Sequence, residues 1–343
     1  MTAARRDLDP RRPSGGRGRG LGRAAGLLLG FAADRLWADP RRGHPVAGFG
    51  RIAMAAEARG YRDHRLAGVV HVAVLVGGTA GAGAVAARLL RRRGRVWEIL
   101  GTAAATWTVL GGTTLAATGR QMAEHLSGGD LASARALLPS LCGRDPNLLD
   151  ADGLARAAVE SVAENTADAA VAPLLWGAVA GVPGLLGYRA VNTLDAMIGY
   201  RSPRHLRFGW AAARLDDVAN LLPARLCGAL TVASAPVVGG DPAEAWSAWC
   251  RDAAGHPSPN AGVVEASAAG ALGVALGGLT EYAHGAELRP TLGAGPRPAI
   301  ADLARAARLS TAVQYGAAAV SAAVAVAVGQ FGLRRRQRGR VGV

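Results

Sequence analysis

Lysine is absent: all 39 basic side chains of this 343-residue chain are arginine. That excludes a P-loop lysine and a lysine Schiff base to pyridoxal phosphate. A GC-rich coding bias would give the same excess, so no arginine is singled out by its type alone. Cysteine is scarce. Cys142, Cys227 and Cys250 are far apart, odd in number and form no C-x-x-C, so there is no disulfide framework, and each reads as a small buried residue rather than a metal ligand. Aromatics make up only 5%. Strand-like alternation, internal repeats and familiar nucleotide-binding motifs are all missing. The net charge of +14 does not point to nucleic acid. It sits in the N-terminal tail, in one short loop and in the C-terminal tail, beside apolar runs, which is the distribution of a membrane protein.

Half of the chain is hydrophobic, and Ala and Gly dominate. Small residues let helices approach closely in a membrane. The fold class expected is all-α: a polytopic integral membrane protein with several transmembrane or broken helices and polar, motif-bearing loops. Residues 1–23 read as an Arg/Gly/Pro-rich disordered tail. Residues 24–333 read as one membrane domain with its motifs in 150–262, and 334–343 as a basic tail. Ala24–Ala33 is a membrane-contacting helix that stops at Asp39-Pro40. Leu66–Leu90 is long enough to cross a hydrocarbon core of ~30 Å. Trp97 to about Ala117 pairs with it as a hairpin across the basic segment 88–95. Val218–Val238, interrupted by Pro223 and Pro236, and Thr311 to about Leu333 are further runs. The basic loop and the C-terminal tail are expected on the cytoplasmic side.

The chemistry concentrates between Arg156 and Arg225. Arg156, Glu160, Glu164 and Asp168 recur every four residues, so a helix carries them on one ridge. Like charges at that spacing repel, so the ridge calls for a cation or arginines. Downstream lie Asn192 and Asp195, then Arg214, Asp216, Asp217, Asn220 and Arg225 on one expected helix. Acids and amides suit Mg²⁺, which takes oxygen ligands and keeps waters and phosphates in its shell. Each Arg–Glu pair alone is as well explained by a solvated helix face; the density of polar groups beside apolar runs is what argues for use. Between the two halves, Ala169–Ala190 is apolar but broken by Pro173 and by Gly181-Val182-Pro183-Gly184. If it folds back, Glu164 and Asn192 meet; if it runs straight through, they cannot. In the polar loop 251–262, Asn260 is a candidate N-cap for a helix from Ala261 to about Leu279, or with His256 a phosphate holder. Asp150 or Asp152 is expected to cap the helix bearing the ridge.

VAENTADAAVAPLLW, VNTLDAMIGYR, FGWAAARLDDVANLLPARL and RDAAGHPSPNAGVVEASAAGALGV resemble the adenosylcobinamide-phosphate synthase family of cobalamin biosynthesis. DPRRGHPV matches its N-terminal motif, and the resemblance covers roughly residues 24–333. It departs at Arg201, where relatives often carry lysine, and at Ala169, where glycine is frequent. The resemblance implies an ATP-driven ligase at the cell membrane, active face cytoplasmic. It joins (R)-1-aminopropan-2-ol, or its O-phosphate, to the free propionate of adenosylcobyric acid. The partners implied are that corrinoid, the amine, the bilayer and other membrane-associated cobalamin-assembly enzymes.

ATP and Mg²⁺ follow as cofactors. Glu160, Glu164, Asp195, Asp216 and Asp217 are the pool of catalytic carboxylates, with Glu164, Asp195, Asp216 and Asp217 the metal ligands. Arg156, Arg201, Arg214, Arg225 and Arg251 would hold phosphate or carboxylate. Asn165, Asn192, Asn220 and Asn260 would orient them. His44 or His256 would take the proton of the attacking amine. Three other readings stay open: a Mg²⁺-dependent intramembrane prenyltransferase, suggested by NTLD and DDVAN; a transporter, suggested by broken helices and intramembrane acids; and a structural membrane subunit.

Overall fold

A computed structural model describes residues 16–39, 43–200, 202–282 and 285–341. Its helices are α1 (Gly16–Trp37), α2 (Pro45–Gly60), α3 (Arg65–Arg93), α4 (Arg95–Val109), α5 (Gly112–Ser127), α6 (Leu131–Leu137), α7 (Ala151–Thr166), α8 (Ala172–Ala180), α9 (Val182–Leu194), α10 (His205–Phe208), α11 (Trp210–Ser234), α12 (Pro242–Asp252), α13 (Ala261–Leu272) and α14 (Ile300–Val341). Four helical stretches are long and apolar enough to cross a membrane: Arg65–Arg93, Arg95–Ser127, Trp210–Val238 and Ile300–Gln330. The all-α membrane architecture expected from composition is the one observed.

Several boundaries differ from expectation for identifiable reasons. Helix α1 already begins at Gly16, within the segment read as a tail. The last apolar run, expected from Thr311, belongs to a longer continuous helix, α14, which already begins at Ile300. The helix α11 runs through Pro223. Proline has no N–H to give the carbonyl four residues back; that carbonyl, on Ala219, accepts instead from Trp176 Nε1 at 3.0 Å. Among the described residues one pair of strands stands against the expectation of none: β1 (Leu276–Tyr282) pairs antiparallel with β2 (Gly285–Leu292), with a register shift between Leu276 and Gly278.

The run 169–190 folds back. Gly181, at φ +71°, both ends α8 and starts α9, a conformation that glycine adopts without a Cβ clash. Arg23 Nη1 donates to Ala178 and Val179 carbonyls at 2.8 Å each, closing the C-terminus of α8. The hairpin packs between α3 and the α1/α4/α14 layer, where Leu174 and Leu185 are fully buried with Leu27 and Val313. Small residues such as Gly26 and Gly30 let α1 lie directly against Thr102 and Thr106 of α4. A second core, built on Met122, Leu138, Leu154, Leu276 and Leu303, joins the hairpin β1–β2 to α5–α7 and the start of α14. A short helix, α6, begins at Leu131, and the expected cap at Asp150 is made: its Oδ1 accepts from Gly153 N at 2.8 Å.

Candidate functional site: an acidic cavity beside a basic basin

Two π-helical turns, Ala167–Val171 after α7 and Asp195–Gly199 after α9, set the site. A π turn widens the helix and is found disproportionately at functional positions. Each begins or nearly begins on an acid, Asp168 and Asp195. The hairpin brings both turns to the same end of α8–α9, and α11 lies across them. Glu164, Asp168, Asp195, Asp216, Asp217, Asn220 and Asn260 consequently line one cavity of about 250 Å³. Glu164 and Asp195 share a site rather than lying at opposite ends of a crossing helix. Gly199 packs directly on Asp195: a Cβ there would stand 1.9 Å from Asp195 Oδ1, so the carboxylate would have to move.

The cavity wall is a hydrogen-bonded chain. The Tyr188 hydroxyl lies 3.0 Å from Asp168 Oδ1 and 2.9 Å from Asn220 Oδ1. Asn220 Nδ2 donates to Asp216 Oδ2 at 2.9 Å. Asp216 Oδ1 is buried with no hydrogen-bond partner among the described groups. Burial, helped by the charges of Asp168, Asp217 and Glu164, raises Asp195 to about 6. Asn192 accepts from Arg189 Nη1 at 3.1 Å, so it serves the wall rather than standing free. Arg189 in turn donates to the Val109 carbonyl that ends α4.

The cavity adjoins a larger basin of about 1110 Å³, and Ala213, Asp217 and Ser258 line both. Arg65, Arg207 and Arg214 rim the basin with Tyr200, Leu206 and Trp210. Arg65 stacks on Trp210 at 5.3 Å, and Arg214 reaches Asp217 at 3.5 Å. Arg225 donates to Asn260 Oδ1 at 2.7 Å, and Asn260 Nδ2 to the Asp217 carbonyl at 2.7 Å. Asn260 therefore does not cap α13, which ends at Leu272. Ser258 Oγ accepts from Asn260 N and Ala261 N at 3.3 and 3.2 Å in its place.

Other sequence candidates lie elsewhere. Glu160, 2% exposed, forms a buried ion pair with Arg144, and its Oε1 accepts from Gly277 N at 2.7 Å. Arg156 donates to the Gly277 carbonyl at 3.2 Å. Both residues fasten the β1–β2 hairpin to α7. Asn165 donates back to Ser161 O and Oγ at 2.9 Å each. Arg251 pairs with its neighbour Asp252 at 2.8 Å and lines a separate cavity. His44 is the N-cap of α2; its Nδ1 accepts from Val46 N at 3.2 Å, and Nε2 is 3.4 Å from Asp39. His256 Nε2 lies 2.7 Å from Arg289 Nη2. Arginine is only a donor, so Nε2 accepts, while Nδ1 lies 3.1 Å from Ser258 N and 3.2 Å from the Ser258 carbonyl. Burial, together with the Arg289 charge, lowers the His256 pKa in the same sense. Glu265, 1% exposed, accepts from Arg289 at 3.2 Å. Arg201 falls outside the described residues.

Asp168 belonged to the sequence ridge but was not chosen as a site residue; Tyr188, Arg144, Glu265 and Arg289 gave no signal. The i,i+4 spacing from Glu164 could have promoted Asp168. Nothing in a lone tyrosine on an apolar run could have promoted Tyr188.

Among the described residues no three His, Cys, Asp or Glu side chains form a ready metal cage. Mg²⁺ does not need one; one or two carboxylates with waters and substrate phosphates are its usual shell. The unpartnered oxygen of Asp216, next to Asp217 and Asp195, fits such a cation.

The site also bears on orientation. His64 and Arg65, at the start of α3, line the basin, whereas Arg91, near its end, lines a cavity beside the Gly181 turn. At about 1.5 Å per residue, 29 residues of α3 exceed a hydrocarbon core of ~30 Å. The basin and the basic 88–95 loop are at opposite ends of a helix able to cross the bilayer, which sets the expectation of a cytoplasmic loop against that of a cytoplasmic active face.

The chain is similar to known proteins over most of its length. The model of the CobD/Cbib protein family matches residues 27–310. A cobalamin biosynthesis protein CobD of Mycobacterium tuberculosis is 61% identical over 299 residues, 87% of this chain and 95% of that protein. Those of Rhodobacter capsulatus and Geobacter metallireducens are 43% and 41% identical, over 88% and 85% of this chain and 98% and 92% of theirs. No solved structure matches. With a family model covering most of its length and relatives this similar end to end, the chain belongs to the CobD/Cbib family of cobalamin biosynthesis proteins.

Proposed function

We propose that the chain is an ATP-dependent amide ligase. It joins the amine of (R)-1-aminopropan-2-ol, or of its O-phosphate, to the free propionate of adenosylcobyric acid. The observation that carries this reading is Asp217, which lines both the acidic cavity and the basic, aromatic basin. A corrinoid is a broad ring with apolar faces and polar edges. The basin has the size for it, and Tyr200, Leu206 and Trp210 for its faces. Arg65, Arg207 and Arg214 suit its carboxylate and the phosphates of ATP.

A carboxylate is a poor acylating agent. In the proposed sequence its oxygen takes the terminal phosphoryl group of ATP, releasing ADP. The amine nitrogen then attacks the acyl carbon, inorganic phosphate leaves and the nitrogen loses a proton. Phosphoryl transfer is mainly positioning and charge stabilisation. Asp216, with Asp217 or Asp195, would hold Mg²⁺, which supplies charge neutralisation at the phosphates. The acidic cavity itself attracts the amine as its ammonium, and an ionised carboxylate there accepts its proton. Asp217, where the two cavities meet, is placed for that step. Of the candidate histidines, His256 has Arg289 and Ser258 against its ring nitrogens, His44 caps α2 through Nδ1 beside Asp39, and neither lines the acidic cavity. Incubation of purified protein with adenosylcobyric acid, aminopropanol or its phosphate, ATP and Mg²⁺ tests the proposal. Mass spectrometry should show the new amide and stoichiometric ADP; no amide with either amine would refute it.

A further inference from the structure

A second cavity, of about 260 Å³, lies at the far end of α3, between α1, α3, α4 and the Gly181 turn. Its charged groups are Arg23, Arg91 and Glu98. Arg23 spends Nη1 on the last carbonyls of α8. Its Nε and Nη2 face Gly181, 3.4 and 3.5 Å from where a Cβ would stand. Arg91 reaches Glu98 only at 4.0 Å, with its side chain 45% exposed. Two guanidinium groups against one carboxylate leave the cavity positive, and Arg88, Arg92, Arg93 and Arg95 add to that field from the same segment.

Apart from Thr102, the remaining wall is apolar, with Ala84, Ala87, Leu90 and Val182 its side chains on α3 and the turn. It continues onto the outer face of α3, of whose membrane-length window only 11% is buried in the protein. Val85, Leu89, Val96, Trp97 and Leu100 stand exposed around it. An exposed tryptophan beside arginines at the end of a spanning helix marks the water–bilayer interface. A soluble anion would use the charges and leave the apolar wall uncovered. A ligand with one phosphodiester charge and two acyl chains uses both.

We propose that this cavity binds the headgroup of an anionic phospholipid, with Arg23 and Arg91 on its phosphate and its chains along α3. This holds whatever reaction the acidic cavity performs.

Native mass spectrometry of the full chain, released from micelles containing equal phosphatidylglycerol and phosphatidylcholine, tests it. Wild type should retain phosphatidylglycerol preferentially. Arg91→Glu, a change at an exposed side chain, should cut that preference by about fivefold for each unit of charge altered near the headgroup. Arg23→Gln, which keeps a donor for the α8 carbonyls, should weaken it as well; circular dichroism establishes that each variant is folded, and Arg91→Glu alone decides if Arg23→Gln is not. Equal retention of both lipids by wild type, or an unchanged preference in folded Arg91→Glu, overturns the proposal. Displacement of phosphatidylglycerol by millimolar inorganic phosphate would make this a soluble-anion site and overturn it too.

Discussion

Tyr188 holds Asp168 across the α8–α9 hairpin, hydroxyl to Oδ1, at 3.0 Å. The same hydroxyl is 2.9 Å from Asn220 Oδ1, and Asn220 carries the contact on to Asp216. One oxygen thus joins α9, the π turn after α7 and α11, the three elements that make the acidic cavity. Tyr188→Phe keeps the ring in its buried place, 4% exposed, and removes the bond. Leaving Asp168 and Asn220 without that partner should cost about 1–3 kcal/mol. Thermal unfolding in detergent should register the loss, and amide synthesis should fall more than the melting change alone explains. An unchanged melting curve and unchanged rate would show that the hydroxyl is dispensable.

Burial places Asp195 at about 6, whereas the unfolded side chain ionises near 3.9. The folded pKa is the higher one, so the cation-free fold binds a proton there more tightly than the unfolded chain does. Its stability should therefore rise as pH falls from about 7 towards 4. Mg²⁺ requires the ionised form, so its affinity should fall across the same interval and binding at pH 6 should release protons. Calorimetric titration of Mg²⁺ in two buffers of different ionisation enthalpy measures that release. Binding that is indifferent to pH between 5 and 7 would remove Asp195 from the cation site.

Glu160 separates structure from catalysis. Its pairing with Arg144, both groups nearly inaccessible at 3% and 6%, together with the Gly277 bond makes it an anchor of the β hairpin. Glu160→Ala should destabilise the protein by about 3–5 kcal/mol, the cost of leaving a buried charge without its partner. The protein that remains folded at low temperature should keep much of its turnover. Full stability with abolished turnover would return Glu160 to the catalytic set.

The opposed ends of α3 make orientation a measurable consequence of the proposed function. ATP is supplied on the cytoplasmic side, so the basin end should face it, with Ala325 of α14, which lies against Gly20 near the Arg23 cavity, towards the other. A phosphatase fused after Val343 should be active outside the cytoplasm. Fluorescence of a C-terminal green fluorescent protein, which matures only inside, would put the basin outside and contradict ATP use there.

How far the sequence led depended on the kind of signal. Apolar length marked α3, α4, α11 and α14, because crossing hydrocarbon demands it. Glycine and proline at 181–184 marked the turn that brings Glu164 and Asp195 together. The π turns at Asp168 and Asp195 left no mark, since one extra residue in a helical turn changes no composition. Pro223 read as a break because Trp176, which satisfies the freed carbonyl, is 47 positions away. The β hairpin passed unnoticed: its Gly277–Gly278 pair and its mixed polar faces lack period-two alternation. Glu160 and Arg156 looked like cavity residues because an i,i+4 ridge says which side chains share a helix face, not what packs against it.

The acidic cavity as the seat of amide synthesis is tested most directly at Asp216, which lines it and keeps one buried oxygen without a hydrogen-bond partner. Asp216→Asn keeps the shape and the contact with Asn220 within reach, and removes the charge. The measurement is amide formation from adenosylcobyric acid, aminopropanol or its phosphate, ATP and Mg²⁺, by wild type and by membrane-inserted Asp216→Asn of equal abundance. Product from wild type and a loss of about 100-fold or more in the variant, of the size seen when a charge-stabilising group is removed, is the predicted result. Equal product from both would contradict it.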